Sequence, residues 1–326
     1  FAIWHAGLVV VPINSKLHKN EFHYILEHSG AKICFTSEKL SPVIEPLVDE
    51  IDSLSLSIAI GSEHYTHLLY GERAVLRLCM PDDPAWLFYT SGTTGKPKGA
   101  MQSHNNLLTM TQCYLSDVDS IEVGDGIVHA APMSHGGGYY MLPHVANGGI
   151  NIVPKSGGFK EQELLELLAV HHNVSMFAAP TMVKRWVEYC QSQSVDLNHP
   201  FASLKTIIYG GGPMYQHDLS NAQQLLGNKL VQIYGQGECP MTITVLNKYF
   251  HQDISHPSYR ERLASVGTAM TGIEIRIVDE FGHDVVPGNE GEIWVRGDAV
   301  MLGYFNDPHA TAESISEGWL KTGDMA

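Results

Sequence analysis

The feature that most constrains this chain is a short segment, Tyr89–Gly99, with the sequence YTSGTTGKPKG. An apolar run, Ala85–Tyr89, leads into it. Pro97 has no backbone N–H, so the lysine before it cannot open a helix as a Walker-type phosphate loop requires. The spacing from Gly92 to Gly95 is also too short for that motif. The segment therefore predicts a loop between two strands.

The same segment combines three kinds of phosphate ligand. Glycines let backbone N–H groups converge on an anion, hydroxyls donate to phosphate oxygens, and lysines neutralise charge. A plain Gly/Ser/Thr surface turn is the alternative, but such turns seldom carry all three chemistries. The segment predicts a polyphosphate site, with the ligands Ser91, Gly92, Thr93, Thr94, Gly95, Lys96 and Lys98.

The composition is that of an ordinary globular protein. A length of 326 residues predicts two or three packed units, and a net charge of −15 argues against nucleic acid or an anionic membrane as a main partner. Five cysteines without a C-x-x-C pair indicate a reducing compartment, for which we expect the cytoplasm. We expect no transmembrane segment, since no apolar run approaches 18 residues.

Alternating strands and helices predict an α/β fold with two parallel-rich sheets whose faces carry helices in layers. The predicted strands are Gly7–Pro12, Ala31–Thr36, Ile127–Ala131, Ile150–Val153, Met176–Ala179, Thr206–Gly210 and Leu230–Tyr234. The predicted helices are Lys19–His28, Pro42–Ile51, Asn105–Leu115, Lys160–His171, Thr181–Ser192 and Tyr215–Leu226.

The character of the chain changes near residue 251. Short strands at Ser265–Gly267, Glu274–Val278 and Gly291–Arg296 are separated by Gly/Pro/Asp turns, which predicts a small β-barrel or antiparallel sheet. We therefore expect subdomains at about 1–125, 126–250 and 251–326. The abrupt first and last residues also look like cut ends.

Candidate ligand residues follow three predicted strands, and a fourth candidate, Asp324, lies near the last residue. Tyr234 and Glu238 follow an apolar strand, where open α/β sheets bind ligands. An aromatic ring there can stack on a purine, and a carboxylate can hold Mg²⁺. The glycines Gly210–Gly212 leave space for a flat ligand. His135 lies beside three glycines, and Asp324 could accept from two ribose hydroxyls. Each alone is compatible with an ordinary core or surface role.

Together, these features occur in a fixed order: the phosphate segment, Tyr234–Glu238, Gly291–Gly297 with Gly303-Tyr304, and Thr322–Asp324. This set resembles the adenylate-forming superfamily of acyl-CoA synthetases, luciferases and peptide-synthetase adenylation domains. The resemblance covers essentially the whole chain and implies a large AMP-binding domain, truncated at both ends.

The resemblance implies an ATP site with Mg²⁺. Its phosphate ligands would be Thr90, Ser91, Gly92, Thr93, Thr94, Gly95, Lys96 and Lys98, and its adenine and ribose ligands Gly211, Gly212, Pro213, Gln232, Tyr234, Gly235 and Asp324. Glu238 and Thr94 would hold the metal. Gly237 also belongs to the nucleotide site but stands where the family usually has threonine. Gln236 or a water is expected to replace the missing hydroxyl.

The residues at Pro132–His135 favour an acyl-CoA synthetase. Peptide-synthetase adenylation domains usually carry Phe-Asp where this chain has Ser134 and His135. Without that carboxylate, an uncharged fatty or aromatic tail fits better than an amino acid. The catalytic residues would be His135, Lys98 and Glu238, and the tail would lie along Gly136, Gly137, Tyr139 and Tyr140.

The implied reaction is attack of a carboxylate on ATP, giving an acyl-adenylate and pyrophosphate, followed by transfer to CoA. An amino-acid adenylation domain and a nucleotide-binding remnant without turnover stay as alternatives. The family carries, after Thr-Gly-Asp, a smaller lid that supplies an arginine and a lysine. Because no lid follows Asp324 in these 326 residues, we expect poor activity; a homodimer is a further expectation.

Overall fold

The computed structural model describes residues 1–90, 96–193 and 200–326. In these ranges the helices are α1 (Ala2–His5), α2 (Lys19–His28), α3 (Ser41–Ile44), α4 (Leu47–Glu50), α5 (Glu63–Leu69), α6 (His104–Cys113), α7 (Gly136–Tyr139), α8 (Met141–Ala146), α9 (Glu161–Val170), α10 (Pro180–Ser192), α11 (Gln216–Leu226), α12 (Lys248–Gln252), α13 (Tyr259–Ala264) and α14 (Pro308–Ser314). A π-helical turn spans Tyr114–Val118, and a 3₁₀ turn spans Pro200–Ala202.

The strands confirm the predicted α/β class. They are β1 (Ile33–Thr36), β2 (Leu56–Ala59), β3 (Pro84–Thr90), β4 (Lys98–Ser103), β5 (Gly126–Val128), β6 (Ile150–Ile152), β7 (Val174–Ala178), β8 (Leu204–Tyr209), β9 (Leu230–Tyr234), β10 (Thr244–Leu246), β11 (Thr268–Ala269), β12 (Glu274–Val278), β13 (Glu292–Arg296), β14 (Gly303–Tyr304), β15 (Ile315–Ser316) and β16 (Trp319–Met325). No helix in the described ranges is both long and apolar enough to cross a membrane.

The chain divides into two compact units. The first consists of Phe1–His104 and Leu302–Pro308, and the second of Asn105–Met301 and His309–Ala326. In the first unit β1 pairs parallel with β2, while β14, β4 and β3 form an antiparallel sheet in that order. Phe22 and Leu26 of α2 pack in its core with Leu47. The subdomain boundaries near 125 and 250 stay a prediction.

The second unit is built on a seven-stranded sheet in the order β11-β10-β9-β8-β7-β5-β6. Strands β9, β8, β7, β5 and β6 run parallel. At one edge of the sheet, β10 pairs antiparallel with β9, and β11 pairs antiparallel with β10. The carboxyl ends of β8 and β9 therefore lie side by side, and both run into glycines. This is the position at which a parallel sheet offers a ligand site.

Ion pairs hold the opposite, amino end of β8. Lys205 Nζ lies 2.7 Å from Asp125 Oδ2, and Lys248 Nζ donates to Thr206 Oγ1 at 2.6 Å. Lys248 also pairs with Asp119 at 3.5 Å, and Thr206 donates to the same carboxylate. These partly buried contacts connect β8 to residues that precede it in the sequence, Asp119 and Asp125, and to Lys248, which follows it.

The C-terminal strands of the second unit form an antiparallel sheet in the order β12-β13-β16-β15. The antiparallel alternative predicted from the turns is thus observed. A barrel is not confirmed, because β12 and β15 stand at opposite edges of this sheet in the described part of the chain.

Two predicted elements of the first unit are wrong. Among the residues that the structure describes, Gly7–Pro12 forms a single bridge, Val10 with Trp86, and Leu8 and Val9 are exposed. One bridged residue does not make a strand, so this apolar run is not part of a sheet. The helix predicted over Pro42–Ile51 is broken into α3 and α4, because Pro46 has no N–H to continue the helical ladder.

Two further predictions shift by a few residues. The strand expected at Ser265–Gly267 lies instead at Thr268–Ala269. Gly267 has a positive φ of 89°, and its N–H donates to Ser265 Oγ, so these residues form a turn. The helix expected over Asn105–Leu115 ends at Cys113 and continues as the π-helical turn.

Candidate nucleotide and acyl site

The hairpin of β3 and β4 brackets the predicted phosphate segment in the first unit. The two strands pair antiparallel as far as Thr90 and Lys98, so the expected strands precede and follow the segment. Ser91, Gly92, Thr93, Thr94 and Gly95 lie outside the described residues, so their predicted phosphate contacts stay a prediction.

The two predicted phosphate lysines lie over aromatic rings. Lys96 Nζ is 5.4 Å from the centre of the Tyr24 ring, and Lys98 Nζ is 5.0 Å from that of Tyr304. Such contacts hold an ammonium group while leaving its protons available. A cavity of about 200 Å³ opens beside both lysines, and its lining residues are Tyr24, His28, Lys96, Pro97, Lys98, Phe305 and Asp307.

The glycine-rich turn after β8, in the second unit, has two functions. A Cβ at Gly210 would lie 2.5 Å from the Ile233 carbonyl oxygen, so this glycine lets β8 and β9 lie close together. A Cβ at Gly211 or Gly212 would meet no atom within 4 Å. Gly211 also has a positive φ of 78°. The surface formed by Gly211, Gly212 and Pro213 is therefore open, as the predicted adenine wall requires.

The residue pair predicted to bind adenine and ribose is directly connected. Tyr234 Oη, at the end of β9, donates to Asp324 Oδ2 on β16 at 2.6 Å. Gln236 Nε2 donates to the same oxygen at 2.7 Å and to the Thr322 carbonyl at 2.8 Å. Burial, reinforced by the Asp324 carboxylate, raises the pKa of Tyr234, so the phenol stays a donor. We call Tyr234, Gln236, Thr322 and Asp324 the nucleotide cluster.

A tight turn on β16 presents Asp324. Gly323 has a positive φ of 73°, and its N–H donates to Glu292 Oε1 at 2.9 Å. Thr322 Oγ1 donates to the Ile293 carbonyl at 2.7 Å and accepts from the Asp324 N–H at 3.1 Å. The threonine and glycine of the Thr-Gly-Asp sequence thus fix the backbone that carries the aspartate.

Gln236 belongs to the nucleotide cluster through its side-chain amide. The sequence predicted that this amide, or a water, replaces the hydroxyl missing at Gly237, and that role stays a prediction. In the structure the amide donates to Thr322 and Asp324, so it orients the carboxylate. This contact with the carboxylate was not predicted from the sequence.

Gln232 lies within β9, and Glu238 follows four residues after the end of that strand. The carbonyl of half-buried Glu238 accepts from the Met301 N–H at 2.8 Å. Gln232 is buried in β9, where its amide oxygen accepts from Tyr209 Oη at 3.2 Å. Gly235 lies against the backbone of Met241, because a Cβ at this glycine would lie 2.6 Å from the Met241 backbone nitrogen. The predicted nucleotide roles of Gln232, Gly235 and Gly237 are untested by these contacts.

One carboxylate suits the way in which Mg²⁺ is usually bound beside a nucleotide. Mg²⁺ keeps several waters and takes one or two carboxylates together with substrate phosphates. Among the described residues, no group of three or more His, Cys, Asp or Glu side chains could hold a metal by itself. Glu238 stays the predicted protein ligand, and its predicted companion Thr94 lies outside the described residues.

The predicted acyl residues form a short helix, α7, and its C-cap, and we call His135–Tyr140 the histidine segment. His135 is exposed and stands at the N-cap of α7. A Cβ at Gly136 would collide with the Met241 sulfur, and one at Gly137 would come within 3.1 Å of the Phe177 ring. The glycines thus permit close packing, and the predicted path of the tail along them stays a prediction.

The tyrosines of the histidine segment are core residues. Tyr139 and Tyr140 are at most 1% exposed, and burial raises the pKa of both. The Tyr140 ring lies 4.8 Å from Tyr114 and 6.1 Å from Phe177, centre to centre. Their predicted contact with a substrate tail would require these rings to move or to line its far end.

Two buried histidines beside this segment carried no sequence signal. Burial lowers the pKa of His144 to about 4, and its Nδ1 lies 2.8 Å from the Tyr140 carbonyl oxygen. His129 also has a lowered pKa because of burial, and its Nε2 lies 2.7 Å from Asn151 Oδ1. A neutral His144 imidazole thus holds the backbone at Tyr140, while His129 is fixed by the Asn151 side chain.

Comparison with known proteins adds an independent line of support. The model of the family described as AMP-binding enzyme matches residues 1–305. A medium/long-chain-fatty-acid–CoA ligase, FadD8 of Mycobacterium tuberculosis, is 32% identical over 86% of this chain and 49% of its own length. A feruloyl-CoA synthase of Amycolatopsis is 30% identical over the whole chain and 62% of its own length.

A solved structure agrees with these relatives. The o-succinylbenzoate coenzyme A synthetase of Bacillus subtilis, in complex with AMP, superposes with a TM-score of 0.82 at 27% identity, covering 99% of this chain and 77% of that one. The chain spans about half to three fifths of the length of the two curated relatives. It belongs to the family of AMP-binding enzymes.

Proposed function

We propose that this chain is part of an acid–thiol ligase that activates a fatty or aromatic carboxylic acid with ATP and transfers it to CoA. A carboxylate oxygen attacks the α-phosphorus, the bond to the β-phosphate oxygen breaks, and pyrophosphate leaves. The CoA thiolate then attacks the acyl carbonyl carbon, and AMP leaves. ATP, CoA and the acid are the partners, in the cytoplasm, and a homodimer is a further prediction.

The observation that carries this proposal is the nucleotide cluster. Tyr234 and Asp324 lie 90 positions apart in the sequence, yet the phenol donates directly to the carboxylate. An aromatic face and a carboxylate at a strand end suit the base and the ribose hydroxyls of one nucleoside. The open surface of Gly211 and Gly212 supports an adenine wall on the neighbouring strand end.

Each remaining group would contribute a defined interaction. Lys96 and Lys98 would neutralise phosphate oxygens as negative charge develops on them. Mg²⁺, when bound through Glu238, would supply further positive charge to the phosphates. The exposed His135 would orient the acid carboxylate. The names of the relatives, one acting on medium and long fatty acids and one on ferulate, support both acid classes.

Pyrophosphate exchange by this sequence fused to the lid of a relative, measured with a panel of fatty, aromatic and amino acids, tests this proposal. We expect exchange with fatty or aromatic acids. Exchange with amino acids alone would favour a peptide-synthetase adenylation domain, and nucleotide binding without exchange would indicate a remnant. Calorimetry on Lys98→Ala and Tyr234→Ala tests the site itself, since parent-like ATP binding by both variants would contradict it.

We further propose that a polypeptide of these 326 residues makes acyl-CoA slowly. In the family a lid that follows the Thr-Gly-Asp sequence supplies a cation to the adenylation step. One missing transition-state donor costs on the order of 10²–10³ in rate. Turnover by the 326-residue polypeptide is compared with the same sequence fused to the lid of a relative. Equal turnover would refute the dependence on the lid.

A further inference from the structure

Helix α2 contacts the phosphate hairpin of the first unit at two points, one on β3 and one at the residue before β4. Tyr24 Oη donates to the Pro97 carbonyl at 3.0 Å. One turn later, His28 Nδ1 lies 2.8 Å from Tyr89 Oη. Residues four apart share one helix face, so a single face reaches the last residues of β3 and the residue before β4.

The hairpin needs these contacts at this place. The ladder of β3 and β4 ends at the pair Thr90 and Lys98, and Pro97 just beyond it has no N–H to donate. A part-buried carbonyl requires a donor, which Tyr24 supplies. Two residues after Pro97, on β4, a Cβ at Gly99 would come within 3.2 Å of the Tyr89 ring. The glycine thus leaves space for Tyr89 to lie across β4.

The partners of His28 favour a neutral ring. Burial lowers the pKa of His28, Asp307 opposes that shift, and Lys96 adds to it. Burial also raises the pKa of Tyr89, so its phenol stays protonated. The His28 ring stacks on Tyr24 with their centres 5.3 Å apart. Both contacts to the hairpin are therefore made by one packed pair of rings.

The helix gives this pair a firm base. The His18 N–H donates to Glu21 Oε2 at 2.8 Å, and His18 Nδ1 accepts from the Asn20 N–H at 3.3 Å, which caps the first turn. The opposite face buries Phe22 and Leu26 in the core of the first unit. Capping and burial fix where α2 lies, and hence where its contacts hold the hairpin.

We propose that Tyr24 and His28 are positioning residues for the lysine pair Lys96 and Lys98. By holding Pro97 between the lysines, and Tyr89 opposite Gly99, they set both ammonium groups at one cavity, where an anionic phosphate can reach both. This inference rests on the proposed function only in taking the lysines as phosphate ligands. It predicts that the contacts of α2 affect phosphate recognition and not adenosine recognition.

Calorimetry on the 326-residue chain with ATP and with adenosine tests the proposal. We expect Tyr24→Phe and His28→Leu each to weaken ATP binding about tenfold, the effect of losing one hydrogen bond and the order around it. Adenosine binding should stay within about twofold, because adenosine makes no phosphate contact. His28→Asn should recover most of the loss, since its amide oxygen can accept from Tyr89.

A matched control lies on the same helix. His23 pairs with Glu27 at 3.8 Å, so His23→Leu removes a histidine of α2 without removing either of these contacts to the hairpin. It should leave both affinities unchanged. Combining His28→Leu with Tyr89→Phe should cost no more than His28→Leu alone, because the two residues form one contact.

An unchanged ratio of ATP to adenosine affinity in Tyr24→Phe and His28→Leu would overturn the proposal. If the parent binds neither ligand, the proposed function fails, and amide exchange still decides this inference. Peptides covering Lys96–Ser103 should then exchange faster in Tyr24→Phe than in His23→Leu. Equal exchange in the two variants would refute the role of α2.

Discussion

The nucleotide cluster and the histidine segment both lie in the second unit, yet their polar groups are held in different ways. Asp324 is exposed, and its oxygen accepts from Tyr234 and Gln236, so the cluster is ordered by hydrogen bonds at the surface. Around Gly136 and Gly137, in contrast, Met241 and Phe177 fill the space. Under the proposed function, a nucleoside could bind to the first with little rearrangement, whereas an acyl tail would have to displace side chains at the second.

The difference has a physical cause. Hydrogen-bonded polar groups keep their geometry in water, because each satisfies another and the ligand replaces only solvent. An apolar pocket has no such support and fills with flexible side chains, methionine above all. Met241 is held there in a left-handed conformation with a φ of 61°, which costs free energy that the close packing must offset. We therefore infer that the nucleotide half of the site is preformed and that the acyl half adapts.

The largest expected effect is a difference in stability between variants of Gly210 and Gly212, two glycines of the turn after β8. Gly210→Ala should lower the free energy of unfolding by about 3 kcal/mol, because its Cβ would meet the Ile233 carbonyl. Gly212→Ala should change stability by less than about 0.5 kcal/mol, because its Cβ meets open space, yet weaken adenosine binding. Urea unfolding and calorimetry measure the two. Parent-like adenosine binding by Gly212→Ala would remove this glycine from the adenine wall.

The next effect concerns protonation beside the histidine segment. Burial lowers the pKa of His144 to about 4, whereas in the unfolded chain it is about 6.5. Between these values the unfolded chain binds more protons, so stability falls as the pH falls through this window. Between pH 7 and pH 5 this one group should cost about 2 kcal/mol.

His144→Asn isolates that contribution, because its amide can still donate to the Tyr140 carbonyl. The variant should lose less stability than the parent from pH 7 to pH 5, by about 2 kcal/mol in urea unfolding. His129 and His251 also have pKa values lowered by burial and remain in both proteins, so only the difference is diagnostic. Parallel pH profiles would show that His144 is protonated in the folded protein.

A third prediction tests whether the acyl half adapts. Met241→Ala should raise the preference for long over short acids about tenfold in pyrophosphate exchange, because the deleted atoms leave space beside Gly136. Met182→Ala on α10, where a methionine packs against the sheet core, controls for a general loss of stability. If both variants keep the acid preference of the parent, the tail lies elsewhere.

The smallest expected effect probes the order of the nucleotide cluster. Tyr234→Phe removes one hydrogen bond to Asp324 but keeps the ring, so adenosine affinity should fall about fivefold, or roughly 1 kcal/mol. Tyr215→Phe, at an exposed phenol before α11, is the matched control. An unchanged affinity in Tyr234→Phe would mean that the bond is not needed to present the carboxylate.

The sequence predicted best where backbone chemistry leaves few choices. Glycine, proline and lysine spacing placed a loop between β3 and β4, and alternating strands and helices predicted the parallel sheet. It predicted least where side chains from distant positions meet. Gln236 reaches Thr322 and Asp324 across more than 80 positions, and no local pattern encodes that contact.

Burial was the second limit. Tyr139 and Tyr140 follow three glycines and look like pocket residues, but the structure buries both in the core. Tyr24 and His28 are four residues apart and so share a helix face, but every amphipathic helix contains such pairs. Their contacts to the hairpin became evident only once the fold placed α2 beside it.

The ion pairs at the amino end of β8 have a consequence for how such a chain can change over generations. Lys205 with Asp125, and Lys248 with Asp119, anchor the strand at the end remote from its glycine turn. Mutations that remodel the turns at the carboxyl ends therefore leave this anchor intact. Ligand preference and fold maintenance can then be selected at opposite ends of one strand, which favours divergence in ligand recognition on a single scaffold.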